Sequence, residues 1–495
     1  MKRKLLDALR DERGYVMVLA LIAMPLLLGF SLLVIDVGRG NNLHTDLQNA
    51  VDALALAGAR ELDGGSDSID RAEAAMTDLI KNQARFSNGG SVIVDADEVT
   101  WHFLATKPAS DDTEIDLDVH ETDEPTLAAF VWVISNQRPM TSLFPLPVGL
   151  TLDTVNFQAS AVATYDVSAC DVTPLFICNP FEVVGENISF EDKFSEGAVY
   201  SRQMTLSFNG GTSIGPGNFG WLQVADPGGS ALRDALATGK PGVCYSQGGL
   251  TTKTGGTIGP AEQGLNTRFG IYAGAMRDND PATPPATNVR RGERRPTNNS
   301  SCGAYEEETD PTRAMAFPAV SLPNQGIYGN QTLQGGTMSG EVWDYIRYWE
   351  VNHPGVSRPI PFPTPSDPTG ERTVPSRYDV YLYELANNLI IGTANTAPNG
   401  ETGDPNRCYR GPAGSIRPQP DRRLIFAAVI DCRATPFNGQ TTFTRPAAFV
   451  SMFLTKPMIA SGGTKTVSVE VVDVTGYSGN GTLETFLREE STLVR

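Results

Sequence analysis

Six cysteines, four histidines and a large excess of carboxylates are the residues in this chain that could do chemistry. The cysteines are Cys170, Cys178, Cys244, Cys302, Cys408 and Cys432. An even count favours a disulfide framework if the region is exported, and six cysteines allow 15 connectivities. Cys170 and Cys178 are close enough in sequence to close a short local loop. A zinc site of the usual spacing is not indicated, because no CxxC occurs and His44, His102, His120 and His353 sit near no cysteine. Covalent hydrolysis needs a nucleophile, a base and an orienting group. No His-Glu-x-x-His or Gly-x-x-x-x-Gly-Lys-Ser/Thr run is present. Asp111, Asp112, Glu114, Asp116 and Asp118 crowd one segment, and Asp95, Asp97 and Glu98 another. Without the spacing of a calcium loop, these read as a solvated acidic face. Nothing here calls for a cofactor or a metal, and the chain is not expected to be an enzyme.

Charge and hydropathy then place the elements. The 495 residues carry 39 Lys+Arg against 57 Asp+Glu, a net charge of −18. A surface of that sign excludes general electrostatic binding of nucleic acid. The run from Tyr15 to Ile35 has no charged residue and is long enough for a helix to cross the ~30 Å hydrocarbon core. It is longer than the 7–15 apolar residues typical of a cleaved signal. We therefore expect a retained anchor. Lys2, Arg3, Lys4, Arg10 and Arg13 precede it, which predicts a cytoplasmic N-terminus and an exported remainder.

Beyond the span, Leu43, Leu47, Ala50, Val51, Leu54, Ala57, Gly58 and Leu62 recur at helical spacing, so 36–62 reads as an amphipathic helix, either separate from the span or continuous with it. A second helix is predicted over 67–85. Alternation at Val99-Trp101-Phe103 and Ile115-Leu117-Val119 predicts strands. Residues 126–144, with Phe130, Val131 and Ile134, read as a short helix, and 152–167 as a long strand. The first exported module, 36–168, is thus α+β. From 169 to 495 glycine and proline become dense and helical periods scarce. Helices are expected over Gly229–Gly239 and Trp343–Trp349, and strands at Leu424–Ile430, Ala447–Leu454 and Thr466–Val474. Residues 278–313 (with Arg290, Arg291, Arg294 and Arg295), 353–376 and 395–420 read as exposed loops. Gly215–Leu222 and Gly259–Gly270 combine turn formers with aromatic and polar groups. They read as tight turns pinned into the core by an aromatic, with a binding loop as the alternative.

At the N-terminus the sequence resembles the TadE/TadG-like proteins of tight-adherence (Flp-type) pilus systems. The resemblance runs from Asp11 to Leu62. It is carried by Asp11-Glu12-Arg13-Gly14 before the span, by Asp36-Val37-Gly38-Arg39 after it, and by the Ala-rich run from Leu47 to Ala59. It implies a bacterial inner-membrane protein with a cytoplasmic N-terminus and its bulk in the periplasm, serving pilus biogenesis by protein contact. A pilin-like helix-and-antiparallel-sheet module would lie beside the membrane, followed by a β-rich, loop-heavy periplasmic module. The implied partners are the membrane and other pilus assembly components or pseudopilins. The candidate contact residues are Asp36, Gly38, Arg39, Leu47, Asn49, Ala50, Asp52 and Ala53. Two departures matter. Asp166-Val167-Ser168-Ala169-Cys170 lacks the second Ser of a von Willebrand A metal site. The fifth residue after Gly14 is Leu19, where pilin-type precursors have Glu. Two other readings stand beside this one: a minor pilin or adhesin exported with the fibre, and a membrane-tethered envelope hydrolase.

Overall fold

The computed structural model describes residues 13–495, apart from several short stretches and five longer ones: 82–97 (except 87–88 and 91–92), 143–153, 293–301, and most of 309–330 and 391–407. Arg294, Arg295, Asp95, Asp97 and most of 395–420 lie outside the described residues. The chain divides into two compact units. One comprises Met1–Tyr165 with Ser491–Arg495, the other Asp166–Glu490.

The first unit is built on α1 (Arg13–Ala59), a single helix of 47 residues. The apolar run and the amphipathic run of the sequence are therefore one element. Helix α2 (Ser68–Lys81) packs back on its end. Three strands complete the layer: β1 (Val99–Leu104), β2 (Phe130–Ser135) and the first part of β3 (Ser160–Ala169). They pair antiparallel in the order β1-β2-β3, with Phe103 opposite Val131 and Val131 opposite Ala163. The sheet has two covered faces. Val131, Val133, Ala161, Ala163, Val99 and Phe103 meet Leu47, Val51, Leu54 and Ala55 of α1. On the reverse, Val162, Phe130 and Trp132 pack with Ile115 and with Val494 of the returning C-terminus. The backbone of Val494 and Val162 joins these segments, N–H to carbonyl, at 2.8 Å.

This arrangement corrects three expectations. Phe130, Val131 and Ile134 lie on a strand, not a helix. The segment FVWVIS alternates between two faces that are both apolar, so its period of two was masked by hydrophobic residues on either side. Ile115-Leu117-Val119 is not a strand. Asp116 Oδ1 accepts the amide of Asp118 at 3.1 Å and starts one helical turn over Leu117–His120, leaving Val119 exposed. The predicted strand over 152–167 is two strands, Thr154–Phe157 and β3, with a break at Gln158-Ala159.

The second unit contains β4 (Leu175–Cys178), β5 (Gln203–Phe208), β6 (Asn218–Trp221), α3 (Gly229–Thr238), α4 (Ile258–Asn266), α5 (Tyr345–Asn352), α6 (Arg377–Ala386), β7 (Leu424–Ile430), β8 (Ala448–Leu454) and β9 (Thr466–Val474). Strand order is β6-β4-β7-β8-β9-β5, and β5 pairs again with β6, so six strands close into a ring. Two of the pairings, β4–β7 and β5–β6, are parallel. Closure removes the unpaired edges that an open sheet would expose. Strands β7 and β8 are buried along their whole length, which is why they read as continuous apolar runs rather than alternating ones. Helices α3 and α4 pack together, and Leu232, Leu236, Ala261 and Leu265 join the core of the ring. An aromatic cluster including Trp343, Tyr348, Trp349, Tyr378 and Tyr381 joins α5 and α6 to Phe453 and Val472.

The three disulfides are Cys170–Cys244, Cys178–Cys432 and Cys302–Cys408, all within this unit. The short Cys170–Cys178 loop is thereby excluded. Its two ends point to different elements, one to the Tyr245–Ser246 segment that pairs with Ala169, the other to the end of β7.

Two stretches expected as exposed loops are in part interior. Arg290 and Arg291 are 4% and 6% exposed. Arg290 donates to Asn352 Oδ1 at 3.2 Å and Arg291 to the carbonyl of Phe269 at 3.0 Å. Their guanidiniums find internal acceptors, so these basic residues do not mark a surface. In 353–376, His353, Phe362, Ser366 and Ser376 are buried. Gly259–Gly270 is largely helix α4 followed by a 3-10 turn, whereas Gly215–Leu222 is a turn leading into β6, with Phe219 and Trp221 in the core.

Candidate functional site

The long N-terminal helix and the segment that follows its apolar run form the most distinctive surface of the first unit. From Met17 to Val37 the large apolar side chains of α1 point outward. Met17, Leu21, Met24 and Val34 are each about two-thirds exposed or more. Among the described residues none covers them, and in water such a surface would be costly. Pro25 lies inside the helix, where its missing N–H is tolerated more readily in lipid than in a soluble helix. Ser31 Oγ donates to the carbonyl of Leu27 at 2.9 Å, which satisfies a polar group within the apolar run.

The junction begins where the apolar run ends. Asp36 is buried, with 6% exposure, although it immediately follows the span. Its Oδ2 accepts from Ser142 Oγ at 2.8 Å and its Oδ1 from Arg39 at 3.2 Å. Arg39 also donates to the carbonyl of Thr141 at 3.3 Å. Gly40 faces Phe157 so closely that an added Cβ would sit 2.7 Å from the ring. The Asp-x-Gly-Arg run thus clasps the hairpin that contains Arg138–Thr141 and Thr154–Phe157 to the helix.

The remaining candidate contact residues separate into two sets. Leu47 and Ala50 are buried in the unit's own core and have no free surface. Gly38 and Asn49 are exposed, Ala53 is half-buried, and Asp52 accepts from Gln48 Nε2 at 2.7 Å. Gln48 also donates to the carbonyl of Ser160, tying this face to the sheet. The Ala-rich side of the helix therefore covers its own sheet, as its small residues permit.

The second unit holds a buried acid–base cluster. His353 Nε2 and Tyr348 Oη both lie 2.7 Å from Glu384 Oε1, and Asn288 Nδ2 donates to Oε2 at 2.7 Å. Burial pushes the Glu384 carboxyl up, but the bond to His353 and the charge of Arg290 outweigh it and hold it below its ordinary range. All four groups are buried, so this is a satisfied polar cluster within the aromatic core. The sequence gives no local signal for it, since its members are scattered from 288 to 384. The acidic run is partly solvated as expected: Asp111 pairs with Lys107 at 3.4 Å and is largely exposed. Among the described residues, one group of metal-type ligands lies close together, Cys178, Glu182 and Cys432, and its two sulfurs are already bonded to each other.

The site thus defines a class: a folded protein carried on one N-terminal helix long and apolar enough to cross a membrane, with that helix continuing directly into the first folded unit. Residues 14–61, the span and the helix beneath it, match the family model of putative Flp pilus-assembly TadE/G-like proteins, over about a tenth of the chain. No curated protein and no solved structure matches the chain.

Proposed function

We propose that the protein is a membrane-anchored accessory component of Flp-type pilus assembly that acts by protein contact rather than catalysis. In this reading α1 holds it in the bacterial inner membrane with the N-terminus in the cytoplasm and both folded units in the periplasm. The observation that carries the reading is the coincidence of the pilus-assembly family match with the uncovered apolar helix and its clasp at Asp36 and Arg39. The positive charge before the span supports the orientation. Three disulfides in the distal unit support an oxidising compartment. Gly38, Arg39, Asn49 and Ala53 then form the face offered to other membrane-embedded pilus components. Leu47 and Ala50 would support that face from inside, and Asp36 and Asp52 would fix its geometry.

The test is a clean deletion with surface pili counted by electron microscopy. Loss of pili, restored by the full chain but not by a chain lacking 15–35, is the expected result. Normal pili and normal surface adhesion in the deletion strain would overturn the reading.

A further inference from the structure

Helix α4 carries a pocket that the reading above does not use. The pocket has a volume of about 430 Å³, within the ~300–1,000 Å³ common for ligand sites. Its floor is apolar, with Ile271 and Met458, and its walls carry Glu262, Tyr305, Glu306 and Glu307. The walls are fixed rather than loose. Cys302, at the start of the 302–307 segment, is tied to Cys408, and its carbonyl accepts the amide of Tyr272 at 2.6 Å. Tyr305 Oη donates to the carbonyl of Arg291 at 3.1 Å. Asn266 clamps Met458 through both backbone groups, at 2.8 and 3.0 Å.

Two of the wall carboxylates differ in their partners. Lys456 neutralises Glu307, with Nζ 3.0 and 3.1 Å from its two oxygens. Glu262 accepts the backbone amide of Ala460 at 3.2 Å, and among the described residues no cation pairs with it. Burial raises its carboxyl above the ordinary range, as expected for an acid held over an apolar floor without a counter-ion. An apolar floor below a carboxylate suits a ligand with a hydrocarbon stem and a cationic end, as in a lysine or arginine side chain.

We propose that this pocket receives a basic side chain of a partner protein, its aliphatic stem over Ile271 and Met458 and its cationic head against Glu262. The identity of the occupant as a protein side chain rests on the protein-contact reading; the chemistry of the pocket does not. The strong net negative charge of the chain would steer such a cationic partner toward it.

The test uses the full chain in detergent micelles with 13C-labelled methionine methyls. n-Butylammonium and n-butylguanidinium are titrated as stand-ins for the two side chains, and n-butanol as the uncharged control. We expect a saturable shift of the Met458 methyl with at least one cation and not with n-butanol; the better cation names the side chain. Glu262→Gln should weaken that binding about tenfold, the scale of one charge-assisted hydrogen bond. Ala273→Leu, which narrows the pocket without removing a charge, should weaken it too and guards against a misfolded Glu262→Gln. Equal response to n-butanol, or an affinity unchanged in both variants, would overturn the proposal. Such a failure leaves the piliation phenotype untouched, and normal piliation in the deletion strain leaves the titration untouched.

Discussion

The core of the first unit, below the anchor, is made of small and branched apolar side chains: Ala50, Ala55, Ala59, Ala72, Ala161 and Ala163 beside Val51, Leu54 and Val131. An ion-pair cluster sits at its rim, where Arg71 meets Glu61, Asp63 and Asp67 while remaining about one-fifth exposed. The second unit buries charge outright. Arg377 and Glu470 pair at 2.9 Å with essentially no exposure, Arg377 lying 4.9 Å over the Trp343 ring. Arg423 sits among the rings of Phe269, Phe317, Tyr381 and Phe453 and donates to the carbonyls of Leu454 and Thr455. Helix and sheet supply the backbone partners of the first unit through local pairing. The ring of the second is closed by strands far apart in sequence, and its long connections need interior donors to hold their carbonyls. The interior arginines do that, and the disulfides lower the entropy of the open chain.

The largest expected effect tests this contrast directly. Arg377→Ala leaves Glu470 buried without its counter-ion and also strips the carbonyl of Ser201 of a donor. A loss of about 3–5 kcal/mol is expected in urea unfolding followed by a probe in the second unit. Arg71→Ala removes more ion pairs but at an exposed rim, and about 1 kcal/mol or less is expected. Similar losses for the two variants would break the comparison.

A smaller effect sharpens it through pH. Glu182 lies beside the Cys178–Cys432 bridge, with Oε2 accepting the amide of Arg433 at 2.8 Å and Oε1 buried with no hydrogen-bond partner among the described residues. Burial pushes its carboxyl up to about 7, against the opposing bond from Arg433. A folded value above the unfolded one means that the folded state binds the proton more tightly. Stability then falls as pH rises from about 4.5 to about 7. Glu182→Gln removes that dependence. The variant should be more stable than the wild type at pH 8, by roughly 1–2 kcal/mol, and close to it at pH 5, as read by thermal unfolding at the two values. Equal differences at both pH values would show that the carboxyl is not the titrating group.

The same contrast explains what could be read beforehand. Elements whose partners lie nearby in sequence, or whose apolar runs are long, were legible: α1 and α2, with ends displaced by a few residues, and α3 with Gly239 at its end and strands β7, β8 and β9, each within about one residue. Helix α6 was not, because its sequence RYDVYLYELA buries Arg377, Asp379 and Glu384 and so lacks a polar face. The strand at Phe130–Ser135 failed for the same kind of reason, having no polar face to alternate with. Disulfide pairing and ring closure are non-local and leave no trace in spacing. Of the candidate contact surface, Asp36, Gly38 and Arg39 were visible as a motif. That Leu47 and Ala50 face inward depends on which side of the helix the sheet takes.

Gly38 gives the smallest effect and the sharpest question about that surface. Three glycines lie in α1 at or below the membrane junction. Gly40 and Gly58 have reasons within the chain, since an added Cβ would lie 2.7 Å from the Phe157 ring and 2.8 Å from Met76 Sδ. At Gly38 an added Cβ meets nothing within 4 Å, and its backbone is helical. A glycine there costs helix stability, by about 0.5–1 kcal/mol relative to alanine, for no gain inside the unit. Gly38→Ala should therefore stabilise the isolated protein slightly, measured as a raised melting temperature in micelles. Gly58→Ala should lower it. If another helix approaches closely at Gly38, the added methyl that is harmless in isolation will reduce piliation in cells, because small residues set the approach distance of membrane helices. Unchanged piliation with raised stability would remove Gly38 from the contact face and leave Arg39 and Asn49 to carry it.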